Sequence, residues 1–411
     1  MIKSGYALII SVILLTTVIS AGCVDTTSSD LIPAPAADLS GTWKSVSASA
    51  LYGDGDITTL NETKTIHIDQ SGRTFYLTGD LIDGTGVGVF CNEKGTTFMS
   101  DISTDGYRGI ICGESRGDEI MLSYTGAFTK DYSGFTKGSV FVETYHFVRE
   151  GKKPTDTFVI TPLDKSYPFA KGFILSQEKE YETKGDILTV DKQKNGIISG
   201  TIDNYRSKVH TRSNYTGGYM FTDVDGNGLS FDSYIIIDED SNKFWIMNYF
   251  PSTNDAVFMT VATAVYPELY GEVVAGFEIY GEDAGYSNET FGVKPISLLG
   301  TWEGFAVQKI KADKVKEEFY PGFAKVVSEK DVMFTGSFFS ENVPKNDIAG
   351  SLLTPTSREF FMAGPKAGDA NSVFVVRGWA DGDTLYACGI YESFGVKTAT
   401  VEVFKRVNET A

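Results

Sequence analysis

Runs in which apolar and polar residues alternate, broken at short intervals by glycine and aspartate, fill most of this chain. Thr65-Ile-His-Ile-Asp69 sets isoleucines against polar residues with a period of two, the mark of a half-buried strand. Ser71-Gly72 supplies a turn, and Thr74 to Leu81 reads as the returning strand. Further turn signals stand at Asp83-Gly84, Asp105-Gly106 and Arg116-Gly117-Asp118, separated by runs rich in Val, Ile, Phe and Tyr. The last run of this first unit, Ser139 to Arg149, puts Phe141, Glu143, Tyr145, Phe147 and Arg149 on one face. Ser233–Ile237, Lys243–Asn248 and Val257–Val265 read as strands further on, and Val373–Val376, Thr384–Cys388 and Thr398–Arg406 near the end. The one helix-like stretch, Lys311 to Phe319, is too short to stand as a helix. Closely spaced short strands predict an all-β chain of antiparallel meanders, closed as barrels or folded as sandwiches.

The pattern repeats. Leu39-Ser-Gly-Thr-Trp43 returns as Leu298-Leu-Gly-Thr-Trp302. A Thr-Gly pair comes after each tryptophan (Gly79, Gly336), then a Gly-Asp turn (Gly117-Asp118, Gly382-Asp383), then Phe-x-Arg (Phe147-Val-Arg149, Phe404-Lys-Arg406). Four markers kept in order define a repeated unit, over 39–150 and 297–407. Gly151 to Asp156 is a polar break, and the residues from 157 to 266 keep only the middle of the pattern. Asn195-Gly-Ile-Ile-Ser-Gly200 matches the Ser71-Gly72 turn and the strand after it, but the Gly-Thr-Trp and the closing Arg are missing. This is read as a degenerate copy, and the Gly-, Glu- and Tyr-rich residues 267–296 as a linker.

Composition supports this class and narrows the partners. Forty-three glycines and 53 aromatic residues suit strands and tight turns. A net charge of −18 argues against nucleic acid as a partner.

The N-terminus bears on location. Lys3 precedes a 14-residue apolar run, Tyr6 to Ile19, which is short for a membrane span of about 20 residues. Ser20-Ala-Gly-Cys23 comes next. The stretch resembles a lipoprotein signal peptide. The resemblance implies that residues 1–22 are removed and Cys23 carries the lipid, although Ser20 stands where such motifs more often have Leu. An uncleaved anchor helix is the alternative. Residues 24–38, small and polar with Pro and Ala, read as a flexible tether. The expected place is the cell surface, anchored to the outer face of the cytoplasmic membrane.

A Gly-x-Trp on a first strand with an Arg on the last resembles the calycins, the lipocalin and avidin-like barrels. In those barrels the two strands are neighbours and the arginine covers the tryptophan at the closed end. The resemblance implies that Trp43, Arg149, Trp302 and Arg406 are structural. The residues that hold biotin in avidins have no match here, so no ligand is carried over.

Candidate chemistry is sparse. Asp223, Asp225 and Asn227, with Gly228 after them, resemble the first half of a calcium loop, with Asp232 as a substitute for the missing carboxylate at position twelve, which is Tyr234. The other reading is a hairpin turn favoured by Asp, Asn and Gly. His67, His146 and His210 are too few and scattered for a zinc site. Cys91 and Cys112 belong to one unit and form either a disulfide or two buried thiols; Cys388 reads as a lone core thiol. Asn61, Asn214, Asn288 and Asn408 each begin Asn-x-Thr, a glycosylation acceptor. No catalytic motif is present in the sequence.

The resulting expectation is a non-enzymatic binding or interaction module, displayed outside the cell, that holds a small apolar ligand, a glycan or a surface protein and needs no cofactor beyond candidate calcium. A structural envelope protein with filled barrels, and an envelope hydrolase whose site is assembled only in three dimensions, are the alternatives.

Overall fold

The computed structural model describes residues 31–407, apart from internal stretches of which the longest are 156–165, 250–272 and 281–295. For most of the middle unit only the backbone is described. Among the described residues every regular element is a β-strand. In barrel 1, β1 (Gly41–Tyr52) carries the two-residue β2 (Thr58–Thr59), and the chain continues through β3 (Thr65–Ser71), β4 (Thr74–Gly79), β5 (Gly86–Phe90), β6 (Thr97–Asp101), β7 (Tyr107–Arg116), β8 (Glu119–Phe128) and β9 (Val140–Arg149). Each strand from β3 onward pairs antiparallel with the next, and β9 returns to β1, so eight strands close a ring with β2 as an appendage. Closure leaves no unpaired sheet edge, which favours a barrel over an open sandwich.

The same order recurs twice. Barrel 2 runs through β10 (Ser166–Ile174), β11 (Lys179–Tyr181), β12 (Ile187–Lys194), β13 (Ile197–Ile202), β14 (Ser207–Thr211), β15 (Gly218–Val224), β16 (Ser230–Asp238), β17 (Lys243–Tyr249) and β18 (Val273–Tyr280). Barrel 3 runs through β19 (Gly300–Lys311), β20 (Lys314–Glu318), β21 (Gly322–Lys330), β22 (Met333–Ser340), β23 (Val343–Leu352), β24 (Glu359–Pro365), β25 (Val373–Asp381), β26 (Thr384–Ser393) and β27 (Val396–Arg406). The all-β, antiparallel meander expected from the alternation is the observed architecture.

The repeated sequence markers meet in space. Trp43 pairs across the sheet with Arg149, whose guanidinium lies 4.3 Å from the centre of the indole. Arg149 donates to the carbonyls of Ser40 and, at 2.6 Å, Asp38, and its Nε donates to Asp118 at 2.9 Å. Trp43 Nε1 donates to the carbonyl of Leu39 at 2.8 Å. Barrel 3 repeats each contact. Arg406 stacks on Trp302 at 4.1 Å, donates to the carbonyls of Leu299 and Ser297, and pairs with Asp383, while Trp302 donates to Leu298. The glycine two residues before each tryptophan suits its backbone. Gly41 and Gly300 have φ of +122° and +123°, and a Cβ on either would lie 3.3 Å from the arginine Nη1. Lead-in segment, tryptophan, Gly-Asp turn and closing arginine are therefore one device that seals the end of the barrel.

Three sequence readings need correction. Residues 267–296 are not simply a linker, because β18 lies within them and closes barrel 2 against β10. Its alternation, Gly276-Phe-Glu-Ile-Tyr280, is masked in the sequence by the glycines and acids around it; Val257–Val265, read as the closing strand, lies outside the described residues. The stretch at Lys311, read as too short to stand as a helix, is in agreement: it contains β20, a strand held by pairing with β19. The tether does not run free to Asp38. Ala36 and Ala37 donate to the carbonyls of Lys94 and Gly95, and Ile32 is buried with residues of barrel 3. Cys91 and Cys112 are free rather than bridged. Cys91 is instead buried in the cluster that joins barrels 1 and 3, its thiol directed at the carbonyl of Thr97.

That junction is built around Arg73, at the tip of the β3–β4 hairpin. Its side chain is fully buried and donates to the carbonyls of Pro33, Asn92 and Glu93 at 2.5, 2.7 and 2.8 Å. The guanidinium lies 4.5 Å from the ring of Trp379, which stacks on Tyr386, both in barrel 3. Three carbonyls and an aromatic face replace the water that this charge gives up. The strap of residues 31–38 supplies one of those carbonyls and so ties the N-terminal approach to the barrel 1–barrel 3 contact.

Candidate ligand site

The site arises from the strand phase of β1 and β9. Trp43, Ser45, Ala48, Ala50 and Tyr52 lie opposite Arg149, Phe147, Tyr145, Glu143 and Phe141, so these ten residues share one face. Trp43, Ala48, Phe141, Tyr145 and Phe147 belong to one buried cluster, which makes that face the interior. A bulge between Ser45 and Ser47 shifts the phase so that two small residues, Ala48 and Ala50, point inward above the Trp43 plug. Toward the sealed end the barrel is filled: Phe75, Phe90 and Phe98 meet edge to face at 5.6–6.3 Å. Toward the other end it is hollow.

The hollow is a cavity of about 600 Å³. Its walls are aromatic. Phe128 and Phe135 stack at 5.1 Å, Tyr124 meets Phe141 at 4.8 Å, and Tyr52 lies 5.3 Å from Phe135. Leu60 and Leu81 add aliphatic surface, and the exposed Thr59, Asn61 and Glu62 mark the rim where the cavity meets solvent. Deeper in stands one carboxylate, Glu143. Tyr52 donates to its Oε1, and Tyr145 to its Oε2 at 2.5 Å. Burial, then the charge of Glu143, pushes both phenols well above their ordinary range, so they remain protonated donors. Lys64 is the cation of the lining; its Nζ lies 2.9 Å from Glu62, whose bond raises its basicity, with smaller contributions from Glu143 and Asp80. A second, more polar cleft of about 650 Å³ adjoins the rim and shares Glu62, Lys64 and Asp80 with it.

Barrel 3 uses the same interior positions differently. Lys309 pairs with Thr400 and Val307 with Glu402, so Lys309 and Glu402 stand on the face that in barrel 1 carries Ala50 and Tyr145. Burial pushes the Glu402 carboxyl up to about 7, against the opposing effects of the Thr400 hydroxyl and the Lys309 charge.

The residues singled out in the sequence take up different places. Trp43 and Arg149, and Trp302 and Arg406, are brought together at sealed ends, away from the cavity. Asp223 and Asp232 lie on β15 and β16, paired as a hairpin through Val224 and Ser230, while Asp225 and Asn227 lie outside the described residues. His67 is exposed beside Thr42, and His146 pairs with Glu119 at 2.5 Å. No cluster of metal-ligating side chains occurs among the described residues. Asn61 is exposed; Cys23, Asn214, Asn288 and Asn408 lie outside the described residues. Sequence reasoning placed Glu143 and Tyr145 on one face with Arg149 but did not take them as a site. The signal was present, because a face that ends on a Trp-covering arginine is an inner face, and Glu143 on it is a half-buried acid that lines the interior.

No protein-family model matches this chain, and no curated protein does. Among solved structures, similarity is found to a DUF3598-family protein of unknown function from Nostoc punctiforme at 9% identity and a TM-score of 0.21, covering 90% of this chain and 96% of that one. Transferrin binding protein B from Haemophilus parasuis gives 9% identity and a TM-score of 0.22, covering 91% of this chain and 77% of that one. The same protein from Neisseria meningitidis gives 9% and 0.21, covering 89% and 76%. TM-scores this low define no shared fold, and the site is read from its own geometry.

Proposed function

We infer that this chain is a non-enzymatic binding protein, displayed outside the cell from a lipidated Cys23, that holds a small ligand in the open half of barrel 1. One observation carries the reading: a cavity of about 600 Å³, walled by aromatic rings, with a single carboxylate held in place by two phenols. Small-molecule sites have this form, an apolar hollow of roughly 300–1,000 Å³ with a few fixed polar groups. The carboxylate already carries a hydrogen bond on each oxygen, which suits an orienting group better than a free catalytic base. The export reading rests on Lys3, the apolar run to Ile19 and Ser20-Ala-Gly-Cys23. The strap of 31–38 is fixed to the body by the bonds of Ala36 and Ala37 and the burial of Ile32.

The test is titration of the full chain with the neutral apolar dye Nile red, before and after filling the cavity by Leu60→Trp. Binding that weakens about tenfold or more in the filled variant is the expected result. Dye binding that ignores the substitution, or no binding at all, would overturn the assignment. Cys23→Ala, read by release of the protein from membranes, tests the anchor separately.

A further inference from the structure

Resting on that reading of barrel 1 as a ligand holder, we propose that the ligand is a small organic ammonium ion: a positively charged amine on an aromatic or aliphatic body. The charge balance of the cavity points this way. Glu62, Asp80 and Glu143 stand against one cation of the lining, Lys64, and that cation already faces Glu62 at 2.9 Å at the rim. A bound anion would add to a surplus of negative charge, whereas a bound cation reduces it.

The geometry of Glu143 makes the charge usable. An ionised carboxylate offers about four acceptor sites, and the two phenols occupy one on each oxygen. The remaining sites are open to an ammonium, whose N–H groups form charge-assisted bonds, the stronger kind of hydrogen bond. The phenols also fix the acid in one orientation, so no side-chain freedom is lost when a ligand arrives. Around it, the rings of Tyr52, Tyr124, Phe128, Phe135 and Phe141 present faces that attract a cation as well as an apolar body. A neutral apolar ligand would use the rings but leave the acid unmatched.

The phase of β1 supports a ligand over an internal partner. Directly across from Glu143 stands Ala50, where barrel 3 has Lys309 at the equivalent turn of the first strand. Barrel 3 thus carries a lysine at this inner-face position, whereas barrel 1 has a methyl group and a cavity.

The experiment is calorimetric titration of the full chain with phenethylamine, phenethyl alcohol and phenylacetate, which share one ring and differ in the charge of the tail. The amine is expected to bind about tenfold or more tightly than the alcohol, and phenylacetate more weakly than either. Glu143→Gln keeps the shape and one of the two acceptor oxygens while removing the charge, and the phenol that then meets the amide NH2 can turn its hydroxyl to accept; it should bring the amine down to the level of the alcohol. Lys64→Gln should tighten the amine. An alcohol or carboxylate that binds as well as the amine, an amine preference that survives Glu143→Gln, or no heat from any of the three would overturn the proposal. The ranking in the unmodified chain decides even if Glu143→Gln fails to fold. Loss of Nile red binding in Leu60→Trp, taken with a failed amine preference, would leave barrel 1 as the site and discard only the ammonium; Nile red binding indifferent to Leu60→Trp would discard both.

Discussion

At the residue scale, the sealed end of each barrel rests on a few groups whose roles are separable. Arg149 stacks on Trp43 and bonds two carbonyls of the segment before β1. Arg149→Ala removes the stack and leaves those carbonyls unpaired, so a loss of about 2–4 kcal/mol is expected in urea unfolding of barrel 1 followed by tryptophan fluorescence. Gly41→Ala meets two obstacles, a φ of +122° and a contact with Arg149 Nη1 at 3.3 Å, and about 1–3 kcal/mol is expected from the same measurement. Burial raises the Cys91 thiol well above its ordinary value and pushes Cys388 up to about 12. Both should therefore resist alkylation in the native chain and react only on unfolding, as read by intact mass. A disulfide between Cys91 and Cys112, found by the same mass measurement, would contradict the free thiols.

At the scale of elements, the β3–β4 hairpin and the strap of residues 31–38 do more than close a barrel and trail from it. Together they enclose Arg73 and press it onto Trp379 of barrel 3. Arg73→Ala abandons three carbonyls at once, the buried one of Asn92 and the part-buried ones of Pro33 and Glu93, and the stack on Trp379, so a destabilisation of about 2–4 kcal/mol is expected. It should also separate the unfolding of barrels 1 and 3 and open the strap to limited proteolysis, which a purely local defect would not do. None of this could be read from residues 24–38 as a sequence. Small residues with proline predict a flexible tether until something buries them, and Ile32 is buried only because two distant barrels meet there.

At the scale of the whole molecule, the three barrels share one topology, but barrels 1 and 3 do not share one interior. Barrel 1 is half filled and half hollow, and barrel 3 carries Lys309 and Glu402 at the interior positions. Glu402 gives this difference a pH signature. Its folded pKa, raised to about 7, exceeds the unfolded value near 4.5, so the folded state holds the proton longer. Below about pH 4.5 there is no penalty; stability falls as pH rises toward 7, by at most about 3 kcal/mol, and stays low above it. Glu402→Gln should remove that slope and raise the unfolding temperature of barrel 3 at pH 8 while changing little at pH 4, as measured by thermal unfolding across that range. Asp118 and Asp38 at the sealed end of barrel 1 run the other way. Asp118 is depressed mainly by its bond to Lys152, with Arg149 contributing, and Asp38 mainly by Ser40. Their contribution is present above about pH 4 and lost as pH falls below it.

The sequence by itself determined the strand class, the repeat and the sealed ends. The strand class rests on short-range constraints, alternation with a period of two and turns that need glycine. The sealed ends, by contrast, were legible through the resemblance carried by a Trp–Arg pair set one circuit of a meander apart. Glu143 was half legible, because its place on the Arg149 face comes from counting by twos along β9. Tertiary structure alone decided the rest. The hollow exists because a bulge at Ser45–Ser47 turns Ala48 and Ala50 inward, and because rings from β1, β8, β9 and the loop between the last two converge there. A one-residue bulge reverses every side chain after it without leaving a mark in the hydrophobic pattern. Convergence of distant loops depends on barrel closure, and no local run of residues records that.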